Sequence, residues 1–206
     1  PAEVIRGEIG GRSWGGTAVF LLLVSLGCGA AGDETLVTSS DPGLASIAVR
    51  LLPDLASRSG MELHRPIRVE RRSRVELERY LEFKIEEEFP EDRAELLSEV
   101  YGLLGLVPPD MDLRGTIKGL YLEQVAGFYD PDSTTLFVLD DQPDEAIESL
   151  LVHELVHAIQ DQSTDLDAMT DPGLSNDRRV AAQAVIEGHA TLVMFEFLMQ
   201  QQGRGA

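Results

Sequence analysis

The sequence predicts a single α+β domain, mainly helical, with a small β-hairpin sheet next to one helix that carries chemistry. Three observations underlie that expectation. Long stretches place apolar residues at the i, i+3, i+4 spacing of helices. One pair of β-prone runs flanks a turn-forming Asp130-Pro131-Asp132-Ser133. His153-Glu154-Leu155-Val156-His157 sets two imidazoles four residues apart on one helix face with a carboxylate beside them. The chain has 206 residues, 43% of them hydrophobic, which suffices for one modest core, placed at residues 44–206. A net charge of −19 argues against nucleic acid as a partner, and Arg71-Arg72 with Arg74 is too short a basic run to change that.

At the amino terminus, Arg6 and Arg12 precede the apolar run Ala18 to Leu26, which has the length of a signal-peptide core and is short for a membrane span. The sole cysteine, Cys28, follows between Gly27 and Gly29. This resembles a bacterial lipoprotein signal: residues 1–27 would be removed and Cys28 lipidated, tethering the protein to the membrane of the bacterial cell envelope. Ser25-Leu26-Gly27 inverts the usual order of leucine and small residue, so plain secretion is the alternative. One cysteine excludes an internal disulfide. Residues 28–43, small, polar and acidic, are expected to be a tether, and residues 44–59 a short helix.

Ser73 is placed to cap a helix over residues 74–88, with Val75, Leu77, Tyr80, Leu81 and Ile85 as its stripe and Phe89-Pro90 as its end. A second helix over 91–104 carries Leu96, Leu97, Val100, Tyr101 and Leu104, and a third over 112–123 is expected to bury Leu113, Ile117, Leu120 and Tyr121. Residues 124–129 and 134–139 form the hairpin; either 134–139 borders the zinc cleft, where its free edge could pair with an extended peptide, or the hairpin only covers the core. The next helix begins near residue 142, with Asp141 as cap, Pro143 in the first turn and Asp144 and Glu145 at the positive end of the helix dipole. Its stripe is Ile147, Leu150, Leu151, Leu155 and Ile159, leaving His153 and His157 on an adjacent face. After a turn at Asp171-Pro172-Gly173, a last helix spans 178–202.

Two histidines do not complete a catalytic zinc site, which usually takes three protein ligands and leaves a fourth position to water. Glu187 is the preferred third, because a carboxylate in a mostly apolar helical run is costly unless paired or metal-bound. His189, two positions on, faces another direction on a regular helix and is the competitor. Asp161 extends the line of His153 and His157 rather than closing around one ion, and Asp165 and Asp167 in the following loop remain alternatives.

The runs YLEQVAGFYDPDSTTLFVLDD, LLVHELVHAIQDQ and AVIEGHATLVM resemble the gluzincin (thermolysin-like) zinc metallopeptidases, with HExxH on one helix and a glutamate ligand on the next, and more narrowly a bacterial family assigned to that chemistry. The resemblance covers about residues 96–200 and implies a zincin-like fold, a Zn²⁺ cofactor, His153, His157 and Glu187 as ligands, and Glu154 as general base. The family is often acidic at position 189, so His189 is a departure. Such enzymes have a further helical subdomain as the other cleft wall, so the resemblance also carries an expectation of truncation at the C-terminus.

The expected function is therefore hydrolysis of peptide bonds in a peptide or protein substrate by a zinc-activated water, Glu154 taking its proton. Tyr121, Tyr129, Arg178 and His189 are the candidate donors to the developing oxyanion. Two other readings stand beside it: a catalytically silent, zinc-stabilised cell-surface binding domain, and a metal-dependent amidase.

Overall fold

The computed structural model describes residues 36–203. The signal-peptide and Cys28 expectations lie outside the described residues, as does half of the expected tether, residues 28–35.

The architecture is α+β and mainly helical, in the order β1 (Val37–Thr38), α1 (Pro42–Ser59), β2 (Ile67–Arg72), α2 (Arg74–Glu88), α3 (Glu91–Leu103), α4 (Leu113–Gln124), β3 (Gly127–Asp130), β4 (Thr135–Leu139), α5 (Asp144–Thr164), α6 (Leu166–Thr170) and α7 (Asn176–Gln201). The sheet has four strands in the order β1-β2-β4-β3 rather than being a lone hairpin. β1 and β2 pair in parallel, as do β2 and β4, while β3 and β4 are antiparallel. Because Val37 pairs with Ile67, the folded unit begins inside the stretch 28–43 that was expected to be a tether.

β4 is buried at all five positions. Leu136 and Val138 join the main core with Ile67 and Val69 of β2, the apolar faces of α1 and α5, and Ala190, Val193 and Phe197 of α7. Leu139 faces the other way, into a smaller cluster with Leu77 and Leu81 of α2. The free edge expected on residues 134–139 does not exist: β2 occupies one side of β4 and β3 the other, and the edge strand is β3.

α2 starts as expected, with Ser73 and Glu76 forming a reciprocal capping box. α5 differs at its start. Pro143 is its N-cap, and the Asp141 carboxylate binds the Arg74 guanidinium at 2.6 Å instead of capping. Ile147, Leu151, Val152, Leu155, Val156, Ala158 and Ile159 are all buried, so α5 is apolar on most sides, as befits a helix running through the core. α3 and α4 pack more thinly than their stripes suggest: Leu96, Leu104, Leu120 and Tyr121 are exposed, and α4 has no fully buried residue.

Candidate metal centre

α5 and α7 lie side by side and bring their polar faces to one end of β3. The α5 helix is held from below by its buried leucines and from the side by β3, where Gly127 is required. A Cβ there would fall 2.7 Å from the Phe137 carbonyl oxygen and 2.9 Å from a methyl of Leu150, so only glycine lets the helix and strand approach this closely.

On this scaffold His153, His157 and Glu187 converge. The Nε2 atoms of the two histidines are 3.1 Å apart. Glu187 Oε2 lies 3.2 Å from His153 Nε2 and 3.5 Å from His157 Nε2. Ligands about 2.0–2.1 Å from a tetrahedral zinc stand about 3.3–3.4 Å from one another, so the triangle has the size of one face of such a polyhedron. Among the described residues this is the one group of three or more His, Cys, Asp or Glu able to hold a metal ion.

The hydrogen bonds around the triangle aim its lone pairs inward. His157 Nδ1 is 2.9 Å from Gln160 Oε1. The same Gln160 donates through Nε2 to the Ile186 carbonyl at 3.0 Å and to His189 Nδ1 at 2.9 Å, which fixes the amide oxygen as the atom facing His157. An amide oxygen only accepts, so the His157 proton sits on Nδ1 and Nε2 is left as a donor of electrons to a metal. Gln183 Nε2 donates to Glu187 Oε1 at 3.0 Å, turning Oε2 toward the histidines.

Glu154 is buried and points to the same cleft. The backbone N–H of Tyr129 donates to its Oε2 at 3.1 Å. Burial pushes the Glu154 carboxyl above its ordinary range, against the opposing pull of His157 and His153. Glu187 is held well below the usual carboxylate range by hydrogen bonds to His153 and His157. For His157, burial opposes a positive charge, but the hydrogen bond to Glu187 and the charge of Glu154 outweigh it, and its pKa is raised.

The sequence-derived competitors fall elsewhere. His189 bonds Gln160 rather than joining the triangle. Asp161 accepts from the Tyr129 hydroxyl at 2.8 Å and from the Leu166 N–H at 3.1 Å. Asp165 caps α6 through the Ala168 N–H, and Asp167, destabilised as an anion by burial and by Asp132, is raised to about 6. Glu187 itself is less buried than its apolar run implies, because Val180, Val185, Leu192 and Phe195 of α7 are exposed and the carboxylate lines an open cleft.

That cleft encloses about 400 Å³ and is lined by Tyr129, Glu154 and the three converging residues, among others, but not by Tyr121, Arg178 or His189. Of the four candidate oxyanion donors, only Tyr129 reaches it, and its hydroxyl proton is committed to Asp161. A larger hollow of about 590 Å³ lies between α3 and residues 109–114, walled by Glu91, Glu95, Glu99, Asp110 and Asp112 without a histidine. We place the chemistry at the smaller cleft, where imidazoles and carboxylates of complementary role meet. Gln160 and Gln183 carried no signal in the sequence, since a glutamine in a helix reads as an ordinary helix former.

The fold and cleft together define an α+β protein with a His-His-Glu group able to hold a metal ion on two neighbouring helices. No family model, curated protein or solved structure matches the chain.

Proposed function

We propose that the protein is a zinc-dependent metallopeptidase of gluzincin type that hydrolyses peptide bonds in the cleft between β3, α5 and α7. The observation that carries the reading is the ligand triangle of His153, His157 and Glu187 with Glu154 buried beside it. Zinc bound to such a donor set lowers the pKa of water to about 7 and polarises a carbonyl. The remaining steps fall to the chain. Glu154 takes the proton of the attacking water and passes it to the leaving amine. Burial raises its pKa, which makes it a stronger base than an ordinary carboxylate. The Tyr129 N–H holds one of its oxygens and thereby orients the other.

β3 supplies a substrate track. Leu139 N–H bonds the Ala126 carbonyl, and the alternation of an antiparallel ladder then directs the main-chain groups of Gly127 and Tyr129 away from β4. The Tyr129 N–H goes to Glu154, which leaves the Gly127 groups and the Tyr129 carbonyl for a peptide. An extended peptide lying along this edge would gain main-chain affinity largely independent of its side chains. Placement in the bacterial cell envelope through a lipid on Cys28 belongs to the same proposal. No described helix is long and apolar enough to cross a membrane. Incorporation of labelled fatty acid into the wild-type chain in a lipoprotein-processing host tests it.

The function is tested by elemental analysis of dialysed protein together with digestion of a broad peptide library, with and without a chelator. One zinc per chain and chelator-sensitive cleavage are expected. Stoichiometric zinc with no cleavage would replace the reading with a zinc-stabilised binding domain, and cleavage restricted to non-peptide amides with an amidase.

A further inference from the structure

We infer that Gln160 is the positioning residue that assembles the metal centre, fixing the tautomer of His157 and the height of α7 through one side chain. The inference rests on the metal reading above and adds a residue that neither binds the metal nor touches substrate. Gln160 is 3% exposed and lies one turn beyond His157 on α5, at the seam with α7. Each polar atom of its amide is used. Oε1 accepts from His157 Nδ1, and Nε2 donates to both the Ile186 carbonyl and His189 Nδ1.

Two consequences follow from that connectivity. First, turning the amide over would face its oxygen to the Ile186 carbonyl, so Oε1 is held toward His157, and because an amide oxygen only accepts, the proton on His157 is locked to Nδ1. Free imidazole has no such constraint, and a histidine protonated on Nε2 presents a hydrogen rather than a lone pair to the metal. Second, the carbonyl that Gln160 holds belongs to the residue immediately before Glu187. The bond that orients the ligand on α5 therefore also sets where α7 presents its own. His189 provides a further anchor for the same amide, which gives the departure at position 189 a physical role outside the ligand set.

The test reads the tautomer in the metal-free protein and the affinity separately. Nitrogen-15 spectra of histidine-labelled protein, followed with pH until the His157 signals stop moving in its neutral form, report which ring nitrogen carries the proton, and four histidines can be assigned by single substitutions. His157 is expected as the Nδ1–H form in the wild type and as a mixture in Gln160→Leu, with zinc affinity in the latter, measured by chelator competition, about 10- to 100-fold weaker. Gln160→Glu, whose carboxylate still accepts from Nδ1, keeps the tautomer and binds zinc more tightly than Gln160→Leu. An Nε2–H form in the wild type, or wild-type zinc affinity in Gln160→Leu, overturns the assignment. If Gln160→Leu does not fold, the wild-type tautomer and the Gln160→Glu comparison decide. A wild-type chain that binds no zinc but shows the locked tautomer would defeat the metal reading and leave the positioning role intact.

Discussion

The backbone N–H of Tyr129 donates to the side chain of Glu154 at 3.1 Å, so the edge strand of the sheet grips the carboxylate that sits between the two histidines of the motif. Tyr129 is tied down in turn by its hydroxyl, which donates to Asp161 one turn beyond His157 on the same helix. Strand and helix are thus stitched at both ends of the cleft, and the candidate base is oriented by backbone, whose position does not depend on a rotamer.

Glu154→Gln keeps the size of the side chain and an oxygen for the Tyr129 N–H while removing the ability to take a proton. Peptide hydrolysis should fall by about 10²–10⁴-fold, the usual worth of general-base catalysis. Zinc content and melting temperature should stay close to wild type. Elemental analysis and hydrolysis assays on one preparation check both halves, and undiminished turnover would remove Glu154 from the mechanism.

Glu187→Ala should sharply reduce retained zinc after dialysis, because it takes away one corner of the triangle. His189→Ala should leave metal content nearly unchanged, since His189 bonds the Gln160 amide rather than joining the triangle, and that amide keeps its bonds to His157 and the Ile186 carbonyl. Equal metal content in wild type and Glu187→Ala would show that the third ligand lies elsewhere.

Zinc affinity should weaken on acidification. A metal and a proton compete for His157 Nε2, and the raised pKa of His157 means the proton begins to win at a higher pH than for an ordinary histidine. Apparent zinc affinity is therefore expected to weaken as pH falls, beginning at a higher pH than for an ordinary histidine. Equilibrium dialysis against buffered zinc from pH 8 to pH 5 measures this. An apparent zinc affinity unchanged from pH 8 to pH 5 would contradict the sign argued here.

Gly127→Ala should destabilise the fold. The added methyl meets the Phe137 carbonyl, which the β ladder prevents from moving, as well as the Leu150 side chain. Overpacking of this kind costs about 1–3 kcal/mol, read as a lowered melting temperature. The displacement of β3 should also loosen its hold on Glu154, so turnover is expected to drop more than zinc affinity. A variant as stable as wild type would mean that α5 can slide away from the strand without penalty.

Much of this was legible in the chain because the signals were local. The helical stripe through Ile147, Leu151, Leu155 and Ile159, the Ser73–Glu76 box and the HExxH spacing are each written within a few residues, and all three residues Glu187, His153 and His157 do converge. β2 was not foreseen. In Ile67-Arg68-Val69-Glu70-Arg71-Arg72 only two apolar residues alternate with charges, and the strand exists because α1 and β4 bury those two. Of the two readings of the hairpin, the core-covering one applies to β4, which is buried at all five positions, and the free edge fails because β2, unforeseen, occupies that side. The anchoring of Glu154 by a main-chain N–H and the bridging by Gln160 depend on which elements meet in space, which no spacing in the sequence records.

The parallel ladder in which Arg68 pairs with Thr135 has a kinetic consequence. Three helices and an edge strand lie between those partners in the chain, so the centre of the sheet closes only after a long excursion has been brought back. The entropy of that closure is incurred before the pairing rewards it, which gives the protein a high contact order for its helical content. Refolding should accordingly run on the milliseconds-or-slower scale of mixed and β-rich topologies rather than at helix-bundle speed. α5 to α7 follow β4 directly and His153 lies only 34 positions from Glu187, so the candidate metal ligands can meet without waiting for that long closure.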